Sequence, residues 1–157
     1  MNGDFLAMVQ LEGVTIARPA PPATYLGVAE SMVRGVRLMA DHEGAGLALP
    51  LAAAHTLECA LKAFLSRDGQ DSRLKQPSLR HNLVELWVLA KSEGLPIDDA
   101  PHWVTRLSEI HDKPYYLRYS TGIHGIVTPA PEPMATELST LIETVRQGIH
   151  DYRKSLE

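Results

Sequence analysis

Apolar residues recur at spacings of three and four along five segments of the chain, which is the period of an amphipathic α-helix. We predict helices over about residues 24–43, 47–67, 80–93, from the Asp98–Asp99 pair to about 111, and 133–155. Five helices with short connections predict an all-α fold, an antiparallel helical bundle of four to five helices. The residues expected in its core are Leu26, Ala29, Val33, Val36, Met39 or Ala40, Ala53, Leu57, Leu61, Phe64, Leu65, Leu83, Leu86, Trp87, Ala90, Trp103, Val104, Leu107, Ile110, Met134, Leu138, Leu141, Val145, Ile149 and Tyr152.

The N-terminal segment has a different pattern. Residues 5–16 are rich in β-branched and apolar side chains, so they predict either a short strand pair or an arm that packs on another subunit. Prolines at positions 19, 21 and 22 stiffen the connection that follows, and Thr24 is a suitable helix cap. We therefore divide the chain into an irregular N-terminal arm, residues 1–23, and a single helical domain, residues 24–157.

Positions between and on the helices give three further expectations. Residues 68–79 contain a glycine and a proline among polar residues and predict a mobile loop. Glu58 precedes Lys62 by four residues, which predicts an exposed ion pair worth about 0.2–0.5 kcal/mol. The apolar stripes of the second and last helices are wide enough to serve a subunit interface as well as a core, which favours a homodimer.

Composition narrows the class of protein. A chain of 157 residues is the size of one domain. Its net charge of -4 argues against a protein that coats polyanions without specificity, although it leaves room for a local basic patch. The lone cysteine, Cys59, has no partner for an intramolecular disulfide, which fits a reducing compartment. No secretion signal and no uninterrupted apolar window of about 20 residues is recognisable, so we expect a cytoplasmic protein without a membrane span.

Three local patterns follow one another in a recognisable order. Residues 54–65 read AHTLECALKAFL, an alanine-rich helix with an acid four residues before a lysine. Residues 80–86 read RHNLVEL, and residues 115–124 read YYLRYSTGIH, in which an arginine is followed by a histidine six positions later. Together they resemble the signatures of the HEPN family of small helical domains, over roughly residues 25–155.

The resemblance implies a function class without fixing one activity. The family is named for nucleotide binding and includes RNA-cleaving toxins, partners of nucleotidyltransferases and members without activity. In its metal-independent ribonucleases an arginine holds the scissile phosphate and a histidine moves protons, which here implies Arg118 and His124 as catalytic residues. Guanidinium and imidazole suit those roles, since one grips phosphate bidentately and the other titrates near neutral pH. The alternative is a structural Arg118 that satisfies helix-end carbonyls or pairs with an acid such as Glu58.

Several side chains near these patterns are candidates for binding a ligand. Tyr115 and Tyr119 flank Arg118 and could stack on a nucleotide or a single strand, although core packing explains tyrosines equally well. Lys62 and His81 fall in the other two patterns and are candidates for the same pocket. For His81 a hydrogen bond to Glu85 or to the preceding loop is the alternative.

One spacing in the sequence is compatible with a metal site. His55 and Glu58 lie three residues apart on a helix turn, as metal ligands do in some bundles. Nothing in the sequence marks a matching pair elsewhere, so neither a metal nor a cofactor is predicted. Nucleophile-elbow, P-loop and paired CxxC motifs are likewise missing from the sequence.

Three hypotheses result. The preferred one is a HEPN-like module, dimeric, that binds a nucleotide, RNA or a protein partner such as a nucleotidyltransferase. The second is a metal-independent ribonuclease of the toxin or defence type, and the third is a purely structural helical dimer.

Overall fold

Five α-helices lie in the segments for which the apolar periodicity predicted them. The structure, a computed structural model, describes residues 9–11, 14–16, 20–119, 122 and 124–157. Its helices are α1 (Ala23–Ala40), α2 (Ala48–Leu65), α3 (Leu83–Ser92), α4 (His102–His111) and α5 (Pro131–Lys154). Short 3-10 turns lie at Glu43–Ala45 and Ser72–Lys75. The prediction of a helical fold is confirmed, with helix ends shifted by a few residues.

A short strand pair precedes the helices. Strands β1 (Val9–Leu11) and β2 (Val14–Ile16) pair antiparallel, with Val9 opposite Ile16 and Leu11 opposite Val14. They lie in the segment for which a strand pair was one of two predictions. The remaining residues of that arm before residue 20 lie outside the described residues.

Helix α2 is the centre of the core because it packs against α1, α3, α4 and α5. Its predicted stripe is buried, and so are the predicted stripes of α3, α4 and, apart from the partly exposed Tyr152, α5. In α1 only Ala29 and Val36 are buried, and the other predicted core positions are partly exposed. α2 is also long and apolar enough to cross a membrane, but most of it is buried inside the fold, as for the core helix of a soluble protein. The cytoplasmic location stays a prediction.

The ends of α3 follow from its sequence. The side chain of Asn82 accepts a hydrogen bond from the backbone N–H of Glu85 at 3.1 Å and so caps the first turn. At the other end Gly94 adopts a φ of 95°, and the next N–H, of Leu95, bonds back to the carbonyl of Ala90 at 3.0 Å. At α1 the expected cap is wrong: Thr24 lies inside the helix and donates to the carbonyl of Ala20.

The connection between α2 and α3, for which a mobile loop was predicted, is anchored at several points. Leu74, in its 3-10 turn, is fully buried. Arg73 donates to the carbonyl of Leu65 at the end of α2 and pairs with Glu93. Asp71 accepts a hydrogen bond from Tyr25 of α1 at 3.0 Å. The connection therefore ties together the ends of three helices.

The apolar stripe of α5 does not form an open face. Leu138, Val145 and Ile149 are at most 3% exposed within a single chain. The buried face of α2 is likewise covered by the other helices. The expectation that these two apolar stripes serve as a homodimer interface is therefore wrong. The homodimer itself stays a prediction.

Candidate functional site

The functional site is built on one face of α2. Residues at spacings of three, four and seven along a helix share a face, and here these are His55, Glu58, Cys59 and Lys62. The side chains of Glu58 and Lys62 are each only 7% exposed, so the prediction of an exposed pair is wrong. The spacing placed both charges on the same face correctly, but α3 and α4 pack against α2 and cover that face.

Glu58 is the centre of a hydrogen-bonded cluster. One carboxylate oxygen, Oε1, accepts from Lys62 Nζ at 2.7 Å, and Lys62 also donates to the carbonyl of Arg80 at 2.7 Å. The other oxygen, Oε2, lies 3.0 Å from His81 Nδ1 and 2.7 Å from His111 Nε2. We call Glu58, Lys62, His81 and His111 the Glu58 network. The His81 side chain therefore bonds to Glu58, where the alternative from the sequence was a bond to Glu85 or to the preceding loop.

The two histidines reach Glu58 because their helices meet at Ser108. His81 immediately precedes Asn82, the cap of α3, and His111 is the last residue of α4. The Ser108 hydroxyl accepts a hydrogen bond from the N–H of Leu83 at 3.1 Å and so holds the start of α3 against α4. One turn of helix separates Ser108 from His111, which brings both imidazoles to the same carboxylate.

Glu58 is ionised in this environment. Burial alone would raise the pKa of its carboxyl, but the hydrogen bond from His111, the charge and hydrogen bond of Lys62, and the hydrogen bond from His81 outweigh burial and lower the pKa to about 2. Burial raises the pKa of the neighbouring Cys59 thiol to about 12, with a further contribution from the Glu58 charge. The cysteine is therefore a packed thiol, which agrees with its predicted place in the core.

The ionised carboxylate assigns the histidine protons. An ionised carboxylate only accepts hydrogen bonds, so His81 carries its proton on Nδ1 and His111 carries its proton on Nε2. The His111 side chain is fully buried, and its Nδ1 has no hydrogen-bond partner in the described part of the chain. The His81 side chain is 19% exposed and is the point where the Glu58 network reaches the surface.

Tyr115 lies against this exposed edge. Its ring stands edge-on to the His81 ring at 5.8 Å, and the His81 ring stands edge-on to that of His111 at 5.7 Å. Tyr115 adopts a φ of 66°, a left-handed conformation that costs free energy for a residue with a side chain and that clusters at functional sites. Leu117, buried and bonded through its N–H to the carbonyl of Ile110, anchors the segment.

Three of the candidates from the sequence therefore meet at one place, since Lys62, His81 and Tyr115 all belong to the Glu58 network or contact it. Tyr119 is 65% exposed, and Arg118 and His124 are also exposed. Between the last two, residues 120, 121 and 123 lie outside the described residues. The catalytic roles of Arg118 and His124 stay predictions.

The charge of Arg118 acts on His55. Burial lowers the pKa of His55, and the positive charge of Arg118 lowers it further. The alternative pairing of Arg118 with Glu58 is wrong, because the described partners of Glu58 are Lys62 and the two histidines. The arginines that satisfy helix-end carbonyls are instead Arg67 and Arg73.

Comparison with known proteins adds no relative. No protein-family model, curated protein or solved structure matches this chain. The side chains of the site and the three sequence patterns are therefore the features that bear on function.

Three side chains of the Glu58 network are of the kinds that bind metal ions. A carboxylate oxygen of Glu58 and one ring nitrogen each of His81 and His111 all lie within 4.8 Å of one another. His55, the partner expected for Glu58 from the sequence, does not belong to this group and instead approaches the Cys59 sulfur at 3.8 Å.

His111 is the residue that sequence reasoning missed. It lies seven residues after Val104 and four after Leu107, on the apolar stripe of α4. A histidine on such a stripe is the signal that could have marked it as a buried polar residue.

Proposed function

We propose that this chain is a HEPN-like module, an antiparallel helical bundle that binds a nucleotide or RNA at the surface above the Glu58 network. One observation carries the proposal. The three sequence patterns are far apart along the chain, yet Glu58 and Lys62 from the first, His81 from the second and Tyr115 from the third contact one another. Such convergence is expected if the patterns describe one site rather than three unrelated stretches of core.

The side chains at the surface of this site suit a ligand that combines phosphate and base. Arg118 is exposed and its guanidinium can bind a phosphate bidentately. Tyr119 presents an exposed ring on which a base can stack, a contact worth about 1–3 kcal/mol per base. The buried pair of Glu58 and Lys62 carries no net charge, so it does not cancel the positive charge of Arg118.

A binding measurement tests the proposal. Fluorescence anisotropy with labelled single-stranded RNA, with unlabelled mononucleotides as competitors, should show binding that weakens as salt is raised. Arg118→Ala and Tyr119→Ala should each weaken binding about tenfold or more. The matched control is Arg153→Ala, which removes an exposed arginine near the end of α5 and should leave the affinity unchanged. Equal losses in all three variants would show nonspecific attraction and contradict the proposed site.

A ribonuclease activity is the second candidate, and the exposure of both Arg118 and His124 supports it because a substrate can reach them. Purified wild type should then cleave RNA with EDTA present, and Arg118→Ala and His124→Ala should each abolish cleavage while keeping the helical circular dichroism of wild type. If wild type binds RNA and leaves it intact, the chain is a binding module. A nucleotidyltransferase or other protein partner stays a prediction.

A further inference from the structure

We propose that Glu58, His81 and His111 form a binding site for a divalent transition metal ion, for which zinc is the test ion. Two imidazole nitrogens and a carboxylate oxygen, from α2, from the residue before the cap of α3 and from the last residue of α4, converge to within 4.8 Å of one another. Two histidines and one carboxylate are the donor set of open zinc and iron sites, in which further positions are left for water or substrate. This inference goes beyond nucleotide or RNA binding and does not depend on it.

Ligation requires each imidazole to change tautomer. His81 Nδ1 and His111 Nε2 now donate to Glu58 Oε2, so their protons must move to the opposite ring nitrogens before these atoms can bind a metal. For His81 that nitrogen belongs to a partly exposed ring, so water can accept the proton's hydrogen bond. For His111 it is Nδ1, which has no partner among the described residues in either tautomer. Metal binding thus replaces the two hydrogen bonds between the histidines and Glu58 by three bonds to the metal ion, and each histidine keeps its proton.

Lys62 occupies the position of an outer-sphere residue. It donates to Glu58 Oε1 and to the carbonyl of Arg80, so Oε2 remains the oxygen that faces the two histidines. Hydrogen bonds to the second oxygen of a ligating carboxylate orient that ligand. The ammonium charge also repels a cation, so Lys62 should hold the geometry while it weakens the affinity.

The primary test is titration of protein that has been stripped with a chelator and dialysed. We expect calorimetry to show one zinc ion bound per chain, and cobalt to give a visible ligand-field spectrum. His81→Ala should weaken zinc binding at least about tenfold, and because this side chain lies at the rim the variant should keep its fold, checked by circular dichroism. His102→Ala, which removes the exposed histidine at the start of the same α4, is the matched control and should bind zinc as wild type does.

Two results would overturn the proposal: no uptake of zinc or cobalt by wild type, or unchanged binding by folded His81→Ala. RNA binding measured on the same samples with and without zinc keeps the two proposals separate, because either can fail alone.

Discussion

Glu58→Gln is the most informative single substitution in this protein. Glutamine has nearly the same shape as glutamate but no charge, so it imitates the protonated carboxyl. The ammonium of Lys62, on a side chain that is 7% exposed, would then lose the buried charge that neutralises it. Removing one partner of a buried ion pair costs more than the pair contributes, because the other charge stays buried without compensation.

The magnitude follows from the pKa of Glu58. It falls from 4.5 to about 2 on folding, and each unit corresponds to about 1.4 kcal/mol. The ionised carboxylate therefore stabilises the folded state by about 3 kcal/mol relative to its protonated form. This agrees with the range of about 3–5 kcal/mol for breaking a buried pair. For a domain of this size the melting temperature should fall by about 6–12 °C.

The same pKa gives the pH dependence and its sign. Because the folded-state pKa is lowered, the unfolded chain binds more protons in acid, and the stabilisation is complete above about pH 4.5 and lost as the pH falls toward about 2. Wild type and Glu58→Gln should differ by a constant amount near neutral pH. The difference should shrink to less than half by about pH 3, where much of the folded-state advantage has been titrated.

Urea unfolding followed by far-ultraviolet circular dichroism at several pH values measures this difference directly. Glu109→Gln is the matched control, since Glu109 forms an exposed i,i+3 pair with Arg106 and its loss should cost under about 0.5 kcal/mol at any pH. A cost below about 1 kcal/mol for Glu58→Gln at neutral pH, or a cost that stays constant down to about pH 3, would refute the reasoning.

Two further substitutions test the packing and the helix ends. A methyl group at Gly148 of α5 would lie 2.9 Å from the buried ring of Phe64, so Gly148→Ala should lower stability by roughly 1 kcal/mol after the gain in helix propensity. Gly35→Ala in α1 meets nothing within 4 Å and should raise stability by up to about 1 kcal/mol; melting temperatures of the two variants that shift in the same direction would contradict one of the two expectations. Asn82→Ala removes the cap of α3 and should cost about 1 kcal/mol in urea unfolding, with Asn82→Asp restoring most of it.

The core was predictable because its signal is local. Burial of residues such as Leu57 and Leu138 follows from periodicity within one helix, and the start and end of α3 follow from Asn82 and Gly94. Burial within a helix and the ends of a helix depend on residues a few positions away, so they can be predicted from the sequence directly.

The site was only partly predictable because its contacts are distant in sequence. Glu58 lies 23 residues from His81 and 53 from His111, and no local pattern says that the three meet. The i,i+4 spacing of Glu58 and Lys62 was read correctly as one face, but exposure depends on what packs over that face. The family patterns pointed to Lys62, His81 and Tyr115, while His111 lies outside all three.

The central position of α2 has a consequence for how the site fluctuates. A helix packed against the other four described helices cannot open without exposing apolar surface on all of them, so its amides should exchange with deuterium only through global unfolding. The backbone from Tyr115 to Tyr119 lies outside any helix and can open locally at lower free energy. The site therefore combines a rigid part, Glu58 and Lys62 on α2, with the segment from Tyr115 to Tyr119, which can open independently of it. A ligand could enter or leave while Glu58 and Lys62 stay in place.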